Sequence, residues 1–266
     1  MNMKDVNILK NNGINVDKSL ELFGDMATYD ETLKDFLTEI DDKLAKIKQY
    51  KETGDMANYA ILVHSLKSDS KYFGFEKLAE LAYNHEMESK ANHMYYITDH
   101  YDELMAEANR ILSIVKQYMG VQTGTYQQTV KPIIIKDKNI LVVDDSNVVR
   151  NFVYKIFNNE YEVLIANDGK EAIDILNSNV DDKIVGVLLD LNMPNVDGFA
   201  VLDYFKQANL FQRIPVAIIT GEGTDENIKR AYTYPIVDML QKPFNEVNVK
   251  NIVDKLIMIH NMNRGE

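Results

Sequence analysis

The stretch V-L-L-D-L-N-M-P-N-V-D-G at residues 187–198 decides the fold of the C-terminal half. Its apolar start predicts a buried strand that ends by presenting the carboxylate of Asp190. Asn192, Met193 and Pro194 predict a turn, and Asp197 with Gly198 then starts a new element. An acid placed where a buried strand ends is a candidate for chemistry at the edge of a sheet.

Three other apolar runs have the same arrangement. The run at 140–143 is followed by Asp144 and Asp145, the run at 216–219 by Thr220, and the run at 236–240 by Lys242 and Pro243. The carboxyl ends of parallel strands meet at one edge of an open α/β sheet, and ligands bind at that edge. We therefore expect these side chains to lie close to Asp190.

Three carboxylates in one partly desolvated site repel one another, and a hard divalent cation relieves the repulsion. Mg²⁺, with oxygen ligands and retained waters, fits best. A carboxylate beside a metal can attack a phosphoryl group and form an aspartyl phosphate, with Lys242 and Thr220 stabilising the phosphoryl oxygens. The alternative, that the acids only form turns, fits each of them singly but not the set in this order and spacing.

These motifs make residues 138–262 resemble a response-regulator receiver domain. The resemblance implies that Asp190 is the phosphoacceptor and that Asp144, Asp145 and the main-chain carbonyl of Asn192 hold Mg²⁺ with it. It also implies that Thr220 and Lys242 sense and stabilise the phosphoryl group. Receivers usually have Tyr or Phe three residues before the lysine, whereas this chain has Met239. A switch between Thr220 and an aromatic ring is therefore either absent or operates with a more adaptable side chain.

The N-terminal half has a helical period, with apolar residues recurring at spacings of three and four. We predict helices at 16–23, 29–53, 55–72, 75–89 and 92–118, with glycines at or beside several of their ends. Short connections between long amphipathic helices favour an antiparallel bundle. In the helix 55–72, His64 lies far around the helix from the apolar stripe that contains Leu66, so we expect its imidazole to face water. An ordinary solvated surface histidine is the alternative.

The string V-H-S-L-K-S, continuing to Phe73 and Gly74, resembles the active helix of a histidine phosphotransfer (HPt) domain. That family has a Lys three residues and a Gly ten residues after its histidine, and Lys67 and Gly74 match. The usual Gly four positions on is replaced here by Ser68, which is still small. The resemblance implies that His64 carries a phosphoryl group that Lys67 favours. The other four histidines, including His85 and His260, fit no metal motif, and we expect them to be surface or rim residues.

Composition limits the remaining functions. The chain has 266 residues, a net charge of −12 and no cysteine, and the excess of acid is shared by both halves. Neither half is basic, so direct nucleic-acid binding is not expected. The lack of cysteine removes thiol nucleophiles and disulfides and suits a cytoplasmic protein. No apolar stretch approaches the length of a membrane span, and the N-terminus is not signal-like.

Together these features predict an all-α, HPt-like antiparallel bundle at 1–120, a linker at 121–137 and an α/β receiver at 138–266. The receiver should be flavodoxin-like, with a doubly wound parallel sheet of five strands in the order 2-1-3-4-5. The predicted function is a two-component phosphorelay through Asp190 and His64, with sensor histidine kinases, other receivers or HPt proteins as partners. No Gly-rich ATP-binding segment is present, so no ATP-dependent kinase activity is expected.

Two alternatives remain open. The chain could be a phosphorylation-switched binding module in which Asp190 is modified, His64 is idle and the surface near 236–239 changes. A haloacid-dehalogenase-type phosphatase also uses an Asp at a strand end, but that family has a second Asp two residues on. The corresponding residue here is Asn192, which disfavours the phosphatase.

Overall fold

The computed structural model describes residues 4–120, 137–179, 183–221 and 225–265. The chain divides between Ile134 and Ile135 into two compact units. The predicted linker, 121–137, lies outside the described residues except for Asp137. The domain bounds 1–120 and 138–266 therefore stay predictions.

The N-terminal unit is helical. Within residues 4–120 its helices are α1 (Asn7–Lys10), α2 (Val16–Phe23), α3 (Met26–Thr53), α4 (Met56–Tyr72), α5 (Glu76–Lys90) and α6 (Met94–Met119). Each helix from α3 to α6 contacts the next and α3 also contacts α6, so these four helices form a closed bundle. Their short connections place neighbours antiparallel. Five of the helices were predicted with bounds close to these, whereas α1 was not predicted.

Local signals explain where the helices begin and end. Helix α3 begins three residues earlier than predicted because the Asp25 side chain accepts a hydrogen bond from the backbone of Thr28 at 2.8 Å. It ends at Gly54, whose φ of 72° is left-handed. Asp55 then caps α4 by accepting from the backbone N–H of Asn58 at 3.1 Å. Polar caps and a left-handed glycine thus set the bundle's first long hairpin.

A glycine fastens α2 to the turn between α4 and α5. Gly74 has a φ of +71°, and a Cβ atom at this position would lie 2.3 Å from the backbone oxygen of Asn15. The backbone N–H of Asn15 donates to the Gly74 carbonyl at 3.0 Å. Beside this turn, the ring centroid of Phe73 lies 5.7 Å from that of Phe23 and 5.5 Å from that of Phe75. The close backbone approach therefore joins two parts of one aromatic core.

The C-terminal unit alternates strands and helices. Its described strands are β1 (Asn139–Val143), β2 (Glu162–Ala166), β3 (Ile184–Asp190), β4 (Val216–Thr220) and β5 (Asp238–Gln241). Its described helices are α7 (Asn147–Phe157), α8 (Gly169–Ser178), α9 (Gly198–Gln207), α10 (Asp225–Ala231) and α11 (Glu246–Arg264), with a short 3₁₀ turn at Leu210–Gln212. Among all the described residues of the chain, no helix meets the length and apolarity needed to cross a bilayer.

All strand pairs are parallel, and the strand order is β2-β1-β3-β4-β5. Helices α7 and α11 pack together on one face of the sheet, while α8 and α9 pack together on the other. Every residue of β3 is buried, as expected for a central strand covered on both faces. The predicted helical region followed by a doubly wound α/β sheet of order 2-1-3-4-5 is confirmed.

Candidate functional sites

The carboxyl edge of the sheet brings together the acids predicted from the sequence. Asp144 follows β1 directly and Asp190 is the last residue of β3, and both side chains are fully buried. Asp145, next in the chain, is partly exposed. One carboxylate oxygen from each of the three residues lies within 4.8 Å of the others. This acidic cluster has the donor atoms and spacing that a hard divalent cation requires.

Lys242, which follows β5, is also buried at this edge and bridges two of the acids. Its Nζ atom lies 2.7 Å from Oδ2 of Asp144 and 2.7 Å from Oδ2 of Asp190. Burial raises the pKa of Asp144 to about 7, with Lys242 opposing the shift and Asp190 and Asp145 adding to it. Burial disfavours the charge on Lys242, but the surrounding carboxylates outweigh this effect and raise its pKa. The lysine therefore stays cationic between two acids.

Backbone groups complete the surroundings of Asp190. Its Oδ1 atom accepts a hydrogen bond from the backbone N–H of Asn192 at 3.2 Å, in the turn after β3. Gly198 permits this turn, because a Cβ atom there would lie 2.2 Å from the backbone oxygen of Asp190. Thr220 ends β4 beside the cluster. Its buried Oγ1 atom has no hydrogen-bond partner among the described residues, so it is free to bond to a group that enters the site.

The position of the missing aromatic switch residue lies on β5. Met239 is partly exposed and packs against the core cluster that also contacts Tyr234 and Ile236. Tyr234 donates a hydrogen bond to Oδ1 of Asp203 on α9 at 2.6 Å. The surface around 236–239 thus carries a methionine where the family pattern has an aromatic ring.

The second predicted site differs from its prediction. We expected the His64 imidazole to face water, and this was wrong, because only 2% of the residue is exposed. All of residues 62–70 are buried, since α4 packs against α2, α3 and α5. The side of α4 that looks polar in sequence is covered by α5, which supplies charged partners for it. An argument from one apolar stripe does not detect a helix that is enclosed on its polar side as well.

Glu86 on α5 is the partner that sequence reasoning missed. Nδ1 of His64 lies 2.7 Å from Oε1 of Glu86, and Nζ of Lys67 lies 2.7 Å from Oε2. Lys90 also contacts Oε1 of Glu86, at 2.5 Å. A signal for Glu86 existed, because it follows the buried Leu78, Ala79 and Ala82 at helical spacing and therefore lies on the inward face of α5.

Burial and ion pairing have opposite effects on the pKa of Glu86. Burial alone raises the pKa of Glu86, but the hydrogen bond and charge of His64 lower it. The ammonium groups of Lys67 and Lys90 lower it further, and the net pKa is well below the usual range of a glutamate. In the neutral form of the ring, with its proton on Nδ1 shared with the Glu86 carboxylate, the lone pair lies on Nε2. That nitrogen is buried and has no hydrogen-bond partner among the described residues.

Two other buried polar residues of α4, Asp69 and Ser65, have a partner on α3. Asp69 is buried and forms an ion pair with Lys43 of α3 at 2.5 Å, and Lys43 also donates to Oγ of Ser65 at 2.9 Å. Lys67 has its ammonium group 5.4 Å from the ring centroid of Tyr83. The predicted pair of His64 and Lys67 is therefore brought together, but inside the bundle and through Glu86.

Two other histidines also differ from expectation. His85 is fully buried rather than at the surface, and its Nδ1 lies 2.7 Å from the hydroxyl of Tyr59. His260 is buried as well, with Nδ1 2.9 Å from the carbonyl oxygen of Arg213. Burial lowers the pKa of His85 to about 4. Both rings lie in the interior. The sequence alone does not show that other parts of the fold cover these positions on their helices.

Comparison with known proteins agrees with both units. A family model described as the response regulator receiver domain matches residues 140–254, and the Hpt domain model matches residues 31–111. The chain is 31% identical to the probable methanogenesis regulatory protein FilR2 of Methanothrix harundinacea, over 52% of this chain and 89% of that protein. It is 31% identical to the chemotaxis protein CheY1 of Helicobacter pylori, over 44% of this chain and 95% of that protein. A solved receiver-domain protein of Clostridium thermocellum is 25% identical over 47% of this chain and 98% of that chain, with a TM-score of 0.43.

An acidic strand edge with a buried lysine, on a 2-1-3-4-5 parallel sheet, defines a receiver, and the helical bundle before it matches a phosphotransfer domain. The chain belongs to the response-regulator receiver family, with an Hpt domain ahead of the receiver. It is therefore a two-component phosphorelay protein.

Proposed function

We propose that Asp190 and His64 are the two phosphoryl-carrying residues of this relay. Phosphoryl groups would come from a sensor histidine kinase, or from another receiver or HPt protein, in the cytoplasm. The observation that carries the proposal is that Asp190 pairs with one buried ammonium group, and that His64 shares a buried carboxylate with another. Lys242 lies 2.7 Å from Asp190, and Lys67 joins His64 through Glu86.

At the receiver site, a carboxylate oxygen of Asp190 attacks the phosphorus of the donor. The bond between phosphorus and the donor atom breaks, and the new bond is an acyl phosphate. Lys242 then offsets the charge of the phosphoryl oxygens, and the free hydroxyl of Thr220 donates to one of them. These roles follow from the burial and proximity of the two residues at the same edge as Asp190.

Mg²⁺ is the cation that this site fits best. Asp144, Asp145, Asp190 and the main-chain carbonyl of Asn192 would hold it, because clustered carboxylate oxygens are hard ligands. When bound, the ion neutralises the carboxylates and the incoming phosphoryl oxygens. The protein supplies the rest by position, since phosphoryl transfer asks mainly for alignment and charge neutralisation.

At the bundle site, the lone pair of Nε2 of neutral His64 attacks the phosphorus of an acyl phosphate. The phosphorus–oxygen bond breaks, a phosphorus–nitrogen bond forms, and an aspartate carboxylate leaves. The ring keeps its proton on Nδ1 and becomes a phosphoimidazolium, whose positive charge faces the carboxylate of Glu86 at 2.7 Å. Glu86 thus orients the ring and stabilises the charge that develops on it.

A second candidate function is a phosphorylation-switched binding module in which only Asp190 is modified. The burial of His64, which is 2% exposed, favours this alternative, because the imidazole must become accessible before a partner's acyl phosphate can reach it. In that case the surface around 236–239 would carry the output.

The test is phosphosite chemistry after treatment with acetyl phosphate and Mg²⁺. Wild type, Asp190→Asn and His64→Gln are compared, with Asp174→Asn and His93→Gln as controls because both residues are exposed. Acyl phosphate is lost in base and phosphohistidine in acid. Base-labile label that disappears only in Asp190→Asn supports the receiver station, and label in that variant contradicts it. Acid-labile label that requires His64 supports the relay. If no label requires His64, and His64→Gln leaves transfer to every receiver or HPt partner unchanged, the binding-module function replaces the relay.

A further inference from the structure

One hydroxyl in α4 has no partner although its neighbours do. Helix α4, all of whose residues are described, carries three buried serines: Ser65, Ser68 and Ser70. Ser65 accepts a hydrogen bond from Lys43 at 2.9 Å, and Ser70 donates to the carbonyl oxygen of Leu66 at 2.7 Å. Oγ of Ser68 is buried and has no hydrogen-bond partner among the described residues.

The Ser70 bond shows that the backbone of α4 accepts a hydroxyl from one turn later. Bonds of this kind are the usual way to satisfy a buried helical serine. Ser68 does not form one. Buried polar atoms without partners are rare, and each one calls for a specific explanation.

The explanation lies one turn away on the same face of the helix. His64 precedes Ser68 by four residues, and residues at this spacing are neighbours on a helix surface. Nε2 of His64 is the other buried atom of α4 without a partner among the described residues. The free nitrogen carries the ring's lone pair, because Nδ1 is engaged by Glu86. An unbonded nucleophile and an unbonded hydroxyl donor are therefore adjacent within the bundle.

We propose that Ser68 binds the phosphoryl group of phosphorylated His64, with Oγ–H donating to a phosphoryl oxygen. The inference rests on the proposed role of His64. A phosphoryl group on Nε2 brings three acceptor oxygens and negative charge into a buried place. Lys67 supplies a cation, but it also pairs with Glu86 at 2.7 Å. Ser68 supplies a neutral donor that no other described group uses.

The geometry distinguishes this role from simple tolerance of a small residue. A glycine or alanine at position 68 gives an approaching partner as much room as serine does, or more. If the position matters only for access, removing the hydroxyl leaves phosphohistidine stability unchanged. If Oγ binds the phosphoryl group, alanine and glycine weaken phosphohistidine alike, whereas threonine, which keeps a hydroxyl, restores it.

The experiment measures an equilibrium and needs no protein partner. The full chain carrying Asp190→Asn is treated with phosphoimidazole, and phosphohistidine is followed by ³¹P NMR at several concentrations of free imidazole. In this exchange one nitrogen–phosphorus bond breaks in the donor and one forms at Nε2 of His64, with neutral imidazole released. The same chain with His64→Gln identifies the signal that belongs to His64. The variants are Ser68→Ala, Ser68→Gly and Ser68→Thr, and the control is Ser70→Ala.

We expect Ser68→Ala and Ser68→Gly each to shift the exchange constant about tenfold towards phosphoimidazole, as befits a lost hydrogen bond to a charged group. In Ser68→Thr and Ser70→Ala the exchange constant should stay within about twofold of the parent chain, because both variants keep a hydroxyl donor at position 68. Unchanged constants in the alanine and glycine variants would overturn the role of Ser68 while leaving His64 as a phosphosite. Equal losses in Ser70→Ala would also overturn it. If the parent chain gives no His64-dependent signal, the proposed role of His64 fails and this inference fails with it.

Discussion

Nδ1 of His64 on α4 donates to Oε1 of Glu86 on α5 across 2.7 Å, and only 2% of either side chain is exposed. The pairing decides which ring nitrogen is nucleophilic. It also places a negative charge behind the ring, opposite the nitrogen that would receive a phosphoryl group. A glutamate that binds two lysines as well as a histidine links the position of α5 to the reactivity of α4.

Replacing this glutamate should slow histidine phosphorylation. Glu86→Gln keeps an acceptor oxygen but removes the charge that stabilises the phosphoimidazolium. We expect the rate of His64 phosphorylation by phosphoimidazole to fall about a hundredfold, which is less than the roughly 10⁴-fold loss seen when the orienting carboxylate of a serine-protease triad is replaced. Glu88→Gln is the matched control, because Glu88 accepts from Nδ1 of the exposed His93 at 2.7 Å on the same unit. Equal rates in Glu86→Gln and Glu88→Gln would contradict the assigned role.

Magnesium should stabilise the receiver through its acidic cluster. At a Mg²⁺ concentration ten times the dissociation constant, binding to the folded state alone adds about 1.4 kcal/mol to the free energy of unfolding. We expect this increment in wild type and in Asp174→Asn, whose substituted carboxylate is exposed on α8. It should be lost in Asp145→Asn, which removes one of the three clustered carboxylates. Denaturant unfolding with and without Mg²⁺ measures the difference, and an increment that persists in Asp145→Asn would place the ion elsewhere.

A methyl group at Gly74 should destabilise the bundle more than one at Gly24. Both glycines have a positive φ, +71° and +83°, so alanine costs about 1 kcal/mol of conformational energy at either position. At Gly74 the new Cβ would also lie 2.3 Å from the Asn15 backbone oxygen, whereas at Gly24 nothing lies within 4 Å. We therefore expect Gly74→Ala to lower the free energy of unfolding by about 3 kcal/mol and Gly24→Ala by about 1 kcal/mol. If urea unfolding gives similar losses of stability for the two variants, the added methyl group at position 74 does not clash with the backbone of Asn15.

The buried His85 should make the bundle less stable in acid. Burial lowers its pKa to about 4 from an ordinary 6.5, and its Nδ1 accepts from Tyr59 while its Nε2 faces the carbonyl of His100 at 3.3 Å. Between those pH values the unfolded chain binds a proton that the folded chain excludes, so stability is complete above pH 6.5 and falls as the pH drops towards 4. The slope is on the order of 1 kcal/mol per pH unit for one proton.

His85→Gln should remove that contribution to the slope, even though it lowers stability at neutral pH by loss of packing. Urea unfolding of both proteins at a series of pH values gives the two slopes. The control variant is His93→Gln, because 63% of the His93 side chain is exposed and its replacement removes no buried ring. Identical slopes in His85→Gln and wild type would mean that His85 is not a neutral, buried ring.

The sequence by itself determined the receiver. Each strand there is a short apolar run, each functional residue directly follows or ends one, and parallel strands direct those ends to one edge. Local signals of this kind predicted the meeting of Asp144, Asp190 and Lys242 without coordinates. The same is true of the helix bounds in the bundle, because caps such as Asp55 and glycines such as Gly54 act within a few residues of the ends they set.

Only the tertiary structure decided the surroundings of His64. The sequence shows which residues share a face of α4, but not that α5 covers the polar face as well, so the imidazole was wrongly expected to be exposed. Glu86 lies 22 residues further along the chain, and its contact with His64 depends on how two helices pack. The free energy of a buried ionic network comes from desolvation and mutual distance, and neither is encoded in local spacing. The environment of Ser68 also depends on tertiary packing. Only the folded structure shows that its buried hydroxyl has no hydrogen-bond partner among the described residues.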